Sequence, residues 1–196
     1  MDKNYIDLHI HTTNSDGYFS PKEIVEMASK NDTSLIAISD HDSICGLPEF
    51  KENLKFGMHG IAGVEFSSYI MLNNKKIKLH ILGYGFDENN IKMLNLLQEM
   101  KEKRVAAHIK LLNFAKMKLL NLPEDSLSRI NMERYCWFDR EFIKCLEQDN
   151  YSMDDINYYR DYFKNNRFSY GPDYDLEVQR VIDAIHSADG FVGLAH

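Results

Sequence analysis

Asp7-Leu8-His9-Ile10-His11-Thr12-Thr13-Asn14-Ser15-Asp16-Gly17 closes a short apolar run and sets two histidines at i and i+2, with a carboxylate five residues further on. Tyr5 to Leu8 reads as strand, and side chains two apart on a strand share a face. His9 and His11 can therefore grip one ion. Asn14, Ser15, Asp16 and Gly17 are residues that reverse a chain, so the turn can swing Asp16 back over the strand end. A strand finishing in metal-competent side chains sets the reading of the fold, because the same placement recurs further along.

Downstream, Ser20-Pro21-Lys22-Glu23 joins an N-cap serine, a proline at the first helical position and a glutamate three after the cap. It predicts a helix of about ten residues through Ile24, Val25, Met27 and Ala28. Leu35-Ile36-Ala37-Ile38-Ser39 is a continuous apolar run, as in a strand buried on both faces. A helix from Leu47 to Phe56, ending at Gly57, and a strand at Ile61-Ala62-Gly63-Val64-Glu65-Phe66 follow. Tyr69 to Leu72 and Lys76 to Leu82, separated by Asn73-Asn74-Lys75, read as a hairpin or two neighbouring strands. Strands alternating with helices predict parallel β-α units, in a barrel or an open α/β sheet, with chemistry at the strand ends.

From about Asn89 to Lys118 the spacing is that of one long helix, and residues 122 to 166 read as shorter helices rich in aromatics, among them Trp137, Phe142, Tyr159 and Phe163. Their helical spacing favours packing of these helices on one another over stacking on nucleic acid. Asp175 to Ala188 then reads as helix, and Phe191 to Ala195 as a buried strand ending at His196.

The chain has 196 residues, enough for one good core and a small inserted subdomain. Its net charge of −7 argues against a large passive nucleic-acid surface, which would need Lys and Arg, and no stable nucleic-acid complex is expected. A small anionic substrate stays compatible, because bound divalent ions reverse the local sign. Cys45, Cys136 and Cys145 have neither disulfide-framework nor zinc-finger spacing and suit a reducing compartment. Met1 to Ile6 lacks a signal-peptide apolar region, and no apolar stretch approaches the ~20 residues of a membrane span. The expected location is cytoplasmic, away from membranes.

The chemistry lies in the repetition. Strand ends or their loops carry His9, His11 and Asp16, then Asp40 and His41, then Glu65, His80 and His196. Five of the eight histidines fall at such positions, too many for unrelated hydrogen-bonding roles. Mixed imidazole and carboxylate ligation suits Zn, Mn or Fe, and not a Ca site built of oxygens alone. The ligands exceed what one tetrahedral ion uses, so two or three ions are expected, with Glu65 able to bridge two of them. Such a cluster generates hydroxide near neutral pH and clamps the oxygens of an in-line displacement, which points to phosphoester hydrolysis. The same hydroxide could attack a C–N bond. Asp42 and Ser67 lie close enough in sequence to ligands to orient them, whereas His59, His108 and His186 sit outside the pattern and have no role assigned.

The motifs Asp7-Leu8-His9-Ile10-His11-Thr12 with Ser15-Asp16-Gly17, Ser39-Asp40-His41-Asp42, Gly63-Val64-Glu65-Phe66-Ser67, His80-Ile81-Leu82-Gly83-Tyr84 and Gly193-Leu194-Ala195-His196 together resemble the polymerase and histidinol phosphatase (PHP) domain family. The similarity is closest to its small metal-dependent phosphoesterases that act on nucleotides or short RNA. The resemblance implies an α/β fold, a distorted (β/α)7-type PHP barrel, with residues 1–88 as its first part, 89–166 as an all-α insertion and 167–196 as the return to the barrel. It implies that His9 and His11 bind one ion, that Glu65 bridges to a second held also by His80 and His196, and that Asp16 and His41 bind a third. Asp40 would orient a ligand imidazole from behind. The implied activity is hydrolysis of a small phosphorylated substrate, a phosphomonoester or a nucleotide or short-RNA phosphate.

Two departures accompany the resemblance. Family members continue past the strand like Leu194-Ala195-His196 to a late Asp-x-His motif, so the expectation is a barrel incomplete at its carboxyl end, and the alternative function is a metal-binding module without turnover. Nucleotide-cleaving relatives carry an Arg-x-His-Phe-like segment in the insertion, where this chain reads Asp139-Arg140-Glu141-Phe142. Arg140, with Lys164 and Arg167, remain candidates for substrate phosphate.

Overall fold

The first helix begins where its sequence requires. Ser20 Oγ accepts from the Glu23 backbone N–H, and the Glu23 carboxylate accepts in turn from the Ser20 N–H at 2.8 Å. Such a capping box, with Pro21 behind it, is worth about 1 kcal/mol to the helix start. Helix α1 (Pro21–Lys30) buries Pro21, Ile24 and Val25 beside a sheet that begins with β1 (Tyr5–Ile10) and β2 (Thr33–Ile38). The structure, a computed structural model, describes residues 5–118, 123–130, 138–170 and 174–196.

The remaining elements are α2 (Leu47–Asn53), β3 (His59–Leu72), β4 (Lys75–Tyr84), α3 (Ile91–Lys118), α4 (Glu124–Ser128), α5 (Phe138–Gln148), α6 (Met153–Tyr170), β5 (Leu176–Glu177), α7 (Val178–Ser187) and β6 (Phe191–Leu194). Among the described residues they make a mixed α/β fold with six strands in one sheet, in the order β1-β2-β3-β4-β6, with β5 also paired to β3. β1, β2 and β3 run parallel, and β4 is antiparallel to both β3 and β6. β3 is the sheet's central element, paired with β2, β4 and β5.

Two compact units are present, Met1–Met100 with Asp175–His196, and Lys101–Tyr174. The helical sequence pattern starts near residue 89, whereas this division falls inside α3. The first unit packs Ile36, Ile38, Phe50, Val64, Phe66 and Ile185 around its centre, all almost fully buried. Among its described residues the second forms helices and no strand. Its centre is Phe142, which meets Tyr159 and Phe163 edge-on at 5.4 and 5.5 Å between ring centroids, the arrangement the aromatic quadrupole favours. These aromatics pack on one another, as their spacing predicts, while Trp137 lies outside the described residues.

Several elements differ from their sequence reading. α2 stops at Asn53 rather than Phe56, because Leu54 takes an extended backbone. Glu65 and Leu72 lie on one 14-residue strand, not two, and the chain reverses at Asn73 and Asn74, both at positive φ as in the tight turns of hairpins. Leu176 and Glu177 pair with Ser68 and Tyr69 before α7 begins, so that helix starts later than Asp175. β6 is not buried: Phe191 is 76% and Leu194 67% exposed, since the strand sits at the end of the sheet order with β4 as its neighbour. Among the described residues no helix is long and apolar enough to cross a membrane.

Candidate metal centre

β1 delivers His9 from its last turn of pleat and His11 from just beyond its end. The loop after β1 folds back tightly. The Gly17 N–H donates to the Thr12 carbonyl at 2.9 Å, and a Cβ at Gly17 would lie 2.2 Å from the His11 carbonyl oxygen, so only glycine allows this approach. That closure brings Asp16 over the strand end, with Asp16 Oδ1 3.2 Å from His11 Nδ1. β2 leads into Asp40-His41-Asp42, which runs beside Glu65 of β3 as an isolated parallel bridge. β4 pairs its His80 with Ser67, one alternation along from Glu65.

The result is a ring of imidazoles around one carboxylate. Glu65, completely buried, sets Oε2 at 2.9 Å from His9 Nε2 and 3.0 Å from His11 Nε2, while Oε1 lies 2.8 Å from His80 Nδ1. His9 Nε2 and His11 Nε2 are themselves 3.0 Å apart. Three donor atoms about 3 Å from one another match cis positions on a cation with bonds of about 2.1 Å. Among the described residues three sets of donors gather within 4.8 Å: His9, His11 and Glu65; His11, Asp16 and His41; and His41, Glu65 and His80. The residues thus fit divalent ions of the kind that take nitrogen and oxygen together.

The grouping is not quite the one the resemblance implies. His11 belongs to two sets, turning Nε2 to Glu65 and Nδ1 to Asp16. His41 Nδ1 stands 3.5 Å from Glu65 Oε2, nearer than the 4.0 Å between its Nε2 and Asp16. His196 lies at the rim with its side chain 69% exposed, Nδ1 3.9 Å from Glu65 Oε1 and its ring 5.1 Å from that of His80.

Charge explains the compactness. Burial resists ionisation of Glu65, but hydrogen bonds with His11, His80 and His9 and the charge of His41 outweigh it and hold the carboxyl well below its ordinary range. Burial acts against a charged His11 too, yet Asp16 and Glu65 push that imidazole up to about 9. His41 goes the other way, to about 4, chiefly because burial disfavours its charged form. His80 is raised, first by its bond to Glu65, against burial, and then by the charges of Glu65, Asp42 and Asp175.

Asp40 corrects an expectation. Its carboxylate does not reach an imidazole: Oδ1 accepts from the Thr12 N–H at 2.7 Å and from the Ser15 hydroxyl, and Oδ2 from the Thr12 hydroxyl at 2.7 Å. Asp40 therefore pins the loop that carries Asp16, and acts on His11 only through Ser15, whose Oγ lies 3.4 Å from His11 Nδ1. Asp42, at φ +47°, takes the Ser67 N–H at 2.7 Å and the Ser67 hydroxyl at 2.9 Å. The partners Thr12 and Ser15 were not singled out by sequence; their signal is a cluster of hydroxyls following a ligand strand. Lys164 is exposed on α6 of the helical unit, and the side chains of Arg140 and Arg167 fall outside the described residues.

An α/β sheet whose strand ends converge His and carboxylate donors defines a metal-dependent hydrolase class. The PHP domain pattern matches residues 7–181, and the chain belongs to that family. It is 28% identical to the 5'-3' exoribonuclease of Haemophilus influenzae, over all of this chain and 69% of that protein. Identity to the phosphoribosyl 1,2-cyclic phosphate 1,2-diphosphodiesterase of Eggerthella lenta is 26%, over 97% of this chain and 72% of that one. A solved structure of a Bifidobacterium adolescentis protein superposes with a TM-score of 0.74 at 20% identity, covering 99% of this chain and 67% of that chain. That last likeness is one of fold. The chain spans about two thirds of the length of these proteins.

Proposed function

We propose that this chain hydrolyses a phosphoric ester of a nucleotide or short RNA, using two or three divalent ions held by His9, His11, Asp16, His41, Glu65, His80 and His196. The observation that carries it is the Glu65 carboxylate, with His9 and His11 on one oxygen and His80 on the other. Relatives that act on RNA or on a cyclic phosphodiester support a phosphoester as the bond attacked. Mn, Zn or Fe bound there would lower the pKa of water and withdraw charge from phosphoryl oxygens.

The chain's own residues do the rest. Glu65 supplies a fixed negative charge at the centre, kept ionised by the imidazoles around it. Asp40 holds Thr12 and Ser15, so that the loop presents Asp16 without reorganisation. The Asp42 carboxylate takes both the N–H and the hydroxyl of Ser67, which fixes β3 two residues beyond Glu65. Preorganised donors of this kind cost nothing to align at the moment of reaction.

Protein loaded with Mn²⁺ is expected to release phosphate or mononucleotide from phosphomonoesters or 5'-phosphorylated oligoribonucleotides, and His9→Ala is expected to abolish that release. Retention of metal with no product across Mn, Zn and Fe and across both substrate types would overturn the hydrolase and leave a metal-binding module.

A further inference from the structure

Three hydroxyls beside the metal donors each serve a carboxylate: Thr12 and Ser15 donate to Asp40, and Ser67 donates to Asp42. Ser39 differs. It is completely buried, and among the described residues its Oγ meets no hydrogen-bond partner. Buried polar groups in that state are rare, and each calls for a cause.

Strand register places this hydroxyl. Ile38 lies beside Ala62 and His41 beside Glu65 with the same offset, so Ser39 lies beside Gly63. Side chains two apart along a strand share a face. Ser39 therefore stands one step inward from His41, as Gly63 stands one step inward from Glu65, and the two form the layer beneath those donors. A Cβ at Gly63 would lie 2.5 Å from the Ile38 carbonyl oxygen and 3.5 Å from Ser39 Cβ. The two segments approach closely there, and the Ser39 hydroxymethyl is all that this pair sets under the Glu65 carboxylate.

Glu65 has a use for such a group. A carboxylate offers about four acceptor positions, and its present partners are His9 and His11 at Oε2 and His80 at Oε1. A ring nitrogen that binds a cation turns its lone pair to the ion and stops donating to the carboxylate. Ligating carboxylates are themselves held by hydrogen bonds from outside the ligand set. Glu65 then requires a donor other than those imidazoles. The inward hydroxyl of Ser39 is sited to provide one through a water, whose O–H groups can bridge a hydroxyl and a carboxylate.

We propose that Ser39 is a positioning residue for Glu65, its hydroxyl holding one enclosed water that hydrogen-bonds the carboxylate while the imidazoles bind ions. This deepens the reading given above, and rests on its metal centre but not on its substrate.

Mn²⁺ affinity, read from the electron paramagnetic resonance of free Mn²⁺, tests the role without turnover. Ser39→Ala is expected to bind Mn²⁺ about tenfold more weakly, as when a metal ligand loses its outer partner. Ser39→Thr keeps the hydroxyl and is expected to restore most of that affinity. Ser68→Ala removes another fully buried serine hydroxyl of β3, one that donates to the Leu79 carbonyl on the face away from Glu65, and is expected to match the parent. Circular dichroism of the metal-free proteins checks that each is folded. Unchanged affinity in Ser39→Ala overturns the role. Equal weakening in Ser39→Ala and Ser39→Thr, or in Ser39→Ala and Ser68→Ala, overturns it in favour of packing. A parent that takes up no Mn²⁺ overturns the metal centre and this role together. Affinity that depends on the Ser39 hydroxyl, in a parent that cleaves no phosphoester, overturns the hydrolase and supports the role of Ser39.

Discussion

His41 and Glu65 are joined through the backbone on both sides of the glutamate: the Glu65 N–H donates to the Asp40 carbonyl at 3.1 Å, and the Asp42 N–H donates to the Glu65 carbonyl at 2.8 Å. The carboxylate that faces the imidazoles is therefore carried on a peptide that cannot shift independently of them. Glu65→Gln keeps the shape and removes the charge. It is expected to cut bound Mn²⁺, measured by elemental analysis after gel filtration, to a small fraction of the parent's content, with the far-UV circular dichroism unchanged.

The two perturbed histidines give stability of the metal-free protein opposite slopes. The folded His11 pKa of about 9 lies above the ordinary 6.5, so its contribution is complete below pH 6.5 and is lost as pH rises through 9. The folded His41 pKa of about 4 lies below 6.5, so its contribution is complete above pH 6.5 and is lost as pH falls towards 4. Thermal unfolding in EDTA should show a maximum near pH 6.5, and His11→Gln should flatten the alkaline side.

Metal must displace the His11 proton, so binding is expected to release protons and to tighten with pH between 6.5 and 9. The increase in Tm on adding Mn²⁺ should grow across that interval. A metal-induced shift independent of pH there would contradict the placement of His11 among the ligands.

Ser67→Ala removes the hydroxyl that donates to Asp42 Oδ2, while the backbone N–H of residue 67 still reaches Oδ1, in a residue that is 3% exposed. The loss of a hydrogen bond at a buried charge is expected to cost about 1–3 kcal/mol in urea unfolding.

Gly17→Ala would push a methyl group into the His11 carbonyl and the Thr12 amide. Overpacking of this kind costs about 1–3 kcal/mol, and the strain falls on the loop bearing Asp16. Metal content should drop along with Tm.

The donor positions were legible because each ends a run with a clear period: alternation before His9, continuous apolarity before Asp40, and a strand into Glu65. What sequence could not supply was geometry between distant segments. The Asp40 bonds span 28 residues to Thr12 and follow no period, so its role on the loop emerged only once β1 and β2 were paired. Phe191 to Leu194 is as apolar as a buried strand, and its exposure depends on which strands flank it.

The Tyr84 hydroxyl donates to the Leu8 carbonyl at 2.7 Å, tying the end of β4 to β1 across 76 residues of chain. No segment shorter than this assembles the donor set, because His9 and His80 belong to strands that meet only after β2 and β3 are in place. Contacts of such long range form late in folding. Divalent ions should therefore act on the kinetics asymmetrically: added Mn²⁺ slows unfolding and leaves the refolding rate almost untouched, which makes the bound cluster a lock on the finished sheet rather than a nucleus for it.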